Sequence, residues 1–250
     1  VKVYYSSSVY FFYVKSSSLR LISCYSFENE GILVKSSSST VKLDDIQINK
    51  HYFQSLSDNY LMNSREDRDV MVTGFSLFDP KNEINGKILL IVLCKKFFLS
   101  FFSLTSGVAV FSRLPFESYI ILIESSIGRL TNLEVYSFIP LITMKNSNVS
   151  ISMGFCNGLN ADNIKRGSVI VRVMFNSTVE IENFVFTSHE AQPLEVILSE
   201  IKLKNFNFSN NFVRQGSQSG AIYIENSEVS LQLGIFVNNT SEKLGGAIVY

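Results

Sequence analysis

The stretches NSTVEIENFVFTS (residues 176–188), LSEIKLKNFNFSN (198–210) and NSEVSLQLGIFVN (226–238) carry one pattern three times. Each has an aliphatic residue fourth, another two places later, and a phenylalanine seven places after the first, so the apolar offsets are 0, +2, +5 and +7. They fall on Val179, Ile181, Phe184 and Phe186, then on Ile201, Leu203, Phe206 and Phe208; the third copy keeps Val229, Leu231 and Phe236, with Gly234 at +5. Steps of two are the strand period, and the step of three reverses parity, which a helix does not produce. The pattern predicts two short strands joined by a two-residue corner, with both apolar pairs pointing inward. No Asn-Gly or Asp-Gly stands at these corners, so the chain coils instead of folding back in hairpins.

The same offsets recur at Val41, Val70 and Phe97, and in weaker form from Leu19, Ile127 and Val149, giving nine starts separated by 22 to 30 residues. A further apolar pair precedes most starts: Phe12 and Val14, Leu90 and Val92, Ile120 and Leu122, Ile142 and Met144, Leu194 and Val196, Ile222 and Ile224. Three short strands per period, with no helical stretch between them, cannot bury an apolar side except by stacking on their neighbours. The expectation is an all-β parallel β-helix of about nine coils without caps, one domain over residues 1–250. Its clearest repeats lie at 176–250, and an irregular insertion is expected at about 50–69, where Asn63 and Arg65 take the places of the apolar pair.

Two recurrent motifs belong to the corners. Gly220 and Gly246, the latter preceded by Gly245, are followed by Ala221 and Ala247 at the entry to a strand; a positive φ suits glycine there, and alanine keeps the corner narrow. Asn211 and Asn239 each lie three residues after an inward Phe, where asparagine tolerates the left-handed region and can bond to its equivalent one coil away. "FSNN" with "SGAI", then "FVNN" with "GGAI", resemble the paired FxxN and GGA[ILV] signatures of the chlamydial polymorphic outer membrane protein repeat. Similar repeats fill large predicted surface proteins of ciliates and other protists. The resemblance spans about residues 205–250; it implies a right-handed parallel β-helix displayed outside the cell, used in adhesion or as a stalk, and brings no catalytic residues with it.

Composition excludes several classes. Lys+Arg and Asp+Glu are equal at 22 each, so no basic field collects phosphate, and nucleic acid is not an expected partner. Cys24, Cys94 and Cys156 are too far apart for a zinc site and too few for a disulfide framework. The most apolar stretch, residues 87–111, is split by Lys95 and Lys96 into pieces shorter than a spanning helix needs. The chain opens at Val1 with no leader-like segment and reads as a piece of a longer protein.

Asn-x-Ser/Thr sequons stand at Asn148, Asn176, Asn207, Asn238 and Asn239, possible glycan acceptors in a secreted protein. The charge run NSREDRD (63–69) reads as an exposed loop, and Asp44 with Asp45 as a solvated corner; His51 and His189 lie in no nucleophile motif. The expected function is a structural or adhesive segment of a large cell-surface or secreted repeat protein, with no catalytic, cofactor or metal residues. Its expected partners are a surface glycan or protein and further coils beyond both ends, with membrane anchoring supplied by a segment outside this chain. The alternative is a carbohydrate-active β-helix of the pectate-lyase or polygalacturonase kind, for which Asp44, Asp67, Arg68 and Asp69 are the candidate groups.

Overall fold

The computed structural model describes residues 2–4, 7–52, 60–79, 87–106, 121–136, 142–158, 169–213 and 219–250. Its strands stack in parallel as a β-helix. One register runs through nine coils: Leu19, Val41, Val70, Phe97, Gly128, Val149, Val179, Ile201 and Val229 lie each against the next. A second row, formed by the shorter strands such as Ile142–Lys145 and Gln192–Ile197, stacks Ile121, Ile142, Val171, Leu194 and Ile222.

The parity change of the sequence pattern is a single bent residue. Thr178–Thr187 and its equivalents are continuous strands, and the residue at +4 takes a left-handed backbone: Ser23, Asp45, Gly74, Asn132, Met153, Asn183, Asn205 and Leu233, with φ between 49° and 63°. One αL residue turns the strand and returns the next side chain to the interior. Val179, Ile181, Phe184 and Phe186 are accordingly all buried, as are Ile201, Leu203, Phe206 and Phe208.

Three expectations shift by one residue. The fifth coil starts at Gly128, and Ile127 is 58% exposed. The inward pair before it is Ile121 and Ile123, in place of Ile120 and Leu122. In the fourth coil the register aligns Leu89 and Ile91, in place of Leu90 and Val92, with Ile121 and Ile123 of the next coil, and Ile91 is buried. The irregular insertion expected at about 50–69 is in part regular: Tyr60–Arg65 is a strand in line with its neighbours, with Met62 and Ser64 buried, while residues 53–59 lie outside the described part. The apolar stretch from residue 87 forms the strands Lys87–Val92 and Lys96–Ser106; residues 107–111 lie outside the described part. Among the described residues no helix is long and apolar enough to cross a membrane.

Core packing explains the displaced start. Phe97 lies over Gly128, Phe184 over Gly154 and Phe206 over Gly234, so close that a Cβ on each glycine would come within 2.3, 2.0 and 1.9 Å of the ring. A large side chain in one coil fills the volume its neighbour leaves empty, holding the interior at close-packed density. Beside these pairs Phe186, Phe208 and Phe236 form a file, with ring centroids 4.6 and 5.5 Å apart and planes within 5° and 11°. Gly154→Ala should therefore destabilise the fold by about 1–3 kcal/mol through overpacking against Phe184. Phe184→Leu placed on that background should recover part of the loss, as measured by urea denaturation; simple additivity of the two losses would contradict the pairing.

Candidate functional site

A coil that changes direction turns some backbone N–H groups inward, where no strand partner meets them, and such donors need a side-chain acceptor. At the corner before each long strand that acceptor is almost always serine. Ser17, Ser39, Ser126, Ser147, Ser177, Ser199 and Ser227 form a ladder, with Asp67 and Cys94 taking the third and fourth places. The N–H of Ser147 donates to Ser177 Oγ at 3.2 Å, that of Ser177 to Ser199 Oγ at 3.3 Å, and that of Ser199 to Ser227 Oγ at 3.1 Å. Each hydroxyl in turn donates to a carbonyl of its own corner, as Ser147 does to Lys145 O at 2.7 Å.

Asp67 therefore faces the interior. Its Oδ1 accepts from the Ser39 N–H at 2.8 Å and its Oδ2 from Ser36 Oγ at 2.5 Å, and Ser36 Oγ lies 3.0 Å from Ser64 Oγ. Burial raises its carboxyl above the usual range, opposed by the bonds from Ser36 and Ser39. Cys94, next in the ladder, is pushed up to about 11 by burial and donates weakly to Val92 O and Ser64 O. Cys24 and Cys156 are likewise buried free thiols.

The charge run 63–69 is thus divided: Ser64 and Asp67 point in, while Arg65, Glu66, Arg68 and Asp69 are exposed. The candidate acids of the hydrolytic alternative are not assembled on one face. Asp44 accepts from Thr73 Oγ1 at 2.6 Å on the exposed side, and Asp45 sits at the αL bend, accepting from Gln47 Nε2 at 3.2 Å. Outside the serine ladder, the corner opens into a groove of about 400 Å³. Residues 16–18 and 38–40, five serines and a threonine, line it with Glu66, Arg68 and Lys95; of these Ser16, Ser17, Ser18 and Ser38 are exposed, while Ser39 is buried in the ladder. Among the described residues no group of three or more His, Cys, Asp or Glu side chains could hold a metal ion.

The asparagine corners divide the two roles expected of one residue. Asn210 and Asn238 take the left-handed backbone, at φ 54° and 50°, whereas Asn211 and Asn239 point inward. Asn211 Nδ2 donates to Asn239 Oδ1 at 2.7 Å, and Asn239 Nδ2 to Phe208 O at 2.8 Å. His189 holds the equivalent place one coil earlier, its N–H donating to Asn211 Oδ1 at 3.0 Å and its Nε2 lying 3.2 Å from Cys156 O. Gly220 and Gly246 do not have a positive φ; among the described glycines only Gly74 does. They are needed for close approach. A Cβ on Gly220 would stand 2.1 Å from Gly246 O and 2.8 Å from Thr240 N, and one on Gly246 2.7 Å from Asn239 O. A Cβ on Gly245 would stand 2.6 Å from Ile248 O, and Ala221 and Ala247 stack through the Ala221 N–H to Ala247 O bond at 3.1 Å.

Of the sequon residues, Asn148, Asn176 and Asn238 are exposed. Asn207 is half-buried, with Oδ1 enclosed and without a hydrogen-bond partner, and the Asn239 amide is tied into the corner. His51 lies at the end of the strand Thr40–Tyr52. The serine ladder was missed from sequence; its trace is a serine two residues before most starts, hidden among serine runs such as those at 16–18 and 36–39. Comparison with known protein families, with curated proteins and with solved structures finds no match for this chain.

Complete burial lowers His189 to about 4 from 6.5. A histidine depressed on folding contributes stability that is fully present above pH 6.5 and is lost as pH falls toward 4, by up to about 3 kcal/mol. His189→Asn, which supplies the residue found at this position in the next two coils, should remove that pH dependence. The measurement is the difference in unfolding free energy between the parent and the variant from pH 7 to pH 4, and an unchanged difference across that window would contradict the assignment.

Proposed function

We propose that the chain is a structural and adhesive β-helix segment of a large cell-surface or secreted repeat protein, presenting its outer faces to a glycan or protein of a neighbouring surface. The observation that carries this reading is the use made of buried polar groups. Serine, asparagine, Asp67 and His189 at the corners are spent on bonds from one coil to the next, so the interior chemistry lengthens and stiffens a rod. A solenoid held by nearest-neighbour contacts adds stability coil by coil, and a rod suits a stalk. The pairing of FxxN with GGAI corners supports the kinship with surface repeats of the polymorphic outer membrane protein type. Membrane anchoring, on this reading, is supplied by a segment outside this chain.

Two outcomes are expected. Incubated with polygalacturonate and with neutral polysaccharides, the purified chain should release neither unsaturated uronates nor reducing ends; release of either overturns the non-catalytic reading. In folded material secreted from a eukaryotic cell, glycopeptide mass spectrometry should find glycan at Asn148, Asn176 or Asn238 and none at Asn239, whose amide closes the corner. Full occupancy of Asn239 would contradict the corner geometry.

A further inference from the structure

The groove over the serine corner owes its charge to two insertions. Ser36 and Val41 are five positions apart, whereas Ser64 and Val70, and likewise Ile91 and Phe97, are six. The third and fourth coils therefore carry one extra corner residue each, and in both it is a cation: Arg68, then Lys95. Coil-to-coil bonds fix their backbones, the Arg68 N–H to Ser39 O at 2.8 Å and the Lys95 N–H to Asp67 O at 3.0 Å, while both side chains stand exposed. Among the described residues neither side chain has an ion-pair or hydrogen-bond partner. Glu66 is the one acid in the lining; Asp67 is turned inward onto Ser36 and Ser39.

We propose that this groove binds an anionic oligosaccharide, sulfated or carboxylated, laid along the axis of the rod. Arg68 and Lys95 meet successive anionic groups, as adjacent coils stand about 4.8 Å apart. The exposed hydroxyls of Ser16, Ser18 and Ser38, each donor and acceptor at once, meet sugar hydroxyls that are the same. The polar lining gives a lipid surface no apolar foothold. The inference deepens the adhesive reading and rests on it.

The test is calorimetric titration of the 250-residue chain with a heparin-derived hexasaccharide, a hexagalacturonate, which carries a carboxylate on every sugar, and cellohexaose at low and physiological salt. The two anionic chains should bind, more weakly at higher salt, and the neutral one should not. R68S/K95S should weaken binding about tenfold or more, while K202S, on an exposed strand face, should leave it unchanged; thermal melts of both variants should match the parent. Anionic chains that bind R68S/K95S as tightly as the parent, or neutral chains that bind equally well, overturn the groove and leave adhesion standing. Failure of all three chains to bind overturns the groove, and failure of the protein to bind any cell surface as well overturns the adhesive reading with it.

Discussion

The fold depends on one constraint: each coil must present its inward atoms directly over those of the next, at the corners as well as along the strands. Along the strands, parallel backbone pairing does this unaided. At the corners it fails, because a turning backbone carries N–H groups away from the ladder, and a buried donor without an acceptor costs about 1–3 kcal/mol. Serine suits such a place because one hydroxyl accepts from the coil below while donating to its own corner, as Ser147, Ser177 and Ser199 do. The file of serines, with Asp67 and Cys94 in two of its places, thus helps to keep nine coils in a single register.

This explains what was legible in the sequence. The 0, +2, +5, +7 offsets were visible because the inner positions are large and apolar where they are not glycine, and a +4 residue in the left-handed region accounts for the parity change in eight of the coils. The reading failed where that correspondence fails. At the fifth coil the inner position is Gly128, emptied for the Phe97 ring, and the adjacent apolar Ile127 stood in for it although it faces solvent. At the third coil Ser64 and Asp67 are inward, so polarity reads as a loop where the chain is a coil. The serine ladder was illegible for a further reason: an extra corner residue moves Asp67 and Cys94 one place relative to their starts, and serines are common elsewhere.

The paired FxxN and GGAI motifs, with seven residues between them in one copy and five in the next, are one contact in space. Asn239 turns inward to bond Asn211 and Phe208, which brings its own carbonyl within 2.7 Å of where a Gly246 Cβ would be. Gly220, one coil earlier, meets the backbone of the same corner at Asn239 and Thr240. The asparagine needs a neighbour without a side chain, and the glycine has its place because the asparagine is there. Expecting a positive φ for these glycines looked to the wrong freedom: the constraint is contact distance, and their dihedrals are unexceptional.

The same architecture determines where recognition can evolve without harm to the core. An inner position belongs to a file shared by all its neighbours, so a change there is felt one coil up and one coil down. A residue added at a corner is different. At Arg68 and Lys95 the chain lengthens by one, the ladder member before each insertion still bonds inward, and the register resumes at Val70 and Phe97 unshifted. The added side chain therefore reaches solvent on a backbone held by coil-to-coil bonds, and two such additions in successive coils bring two cations to one groove. A stacked solenoid can vary its surface chemistry in this way while its interior continues to repeat.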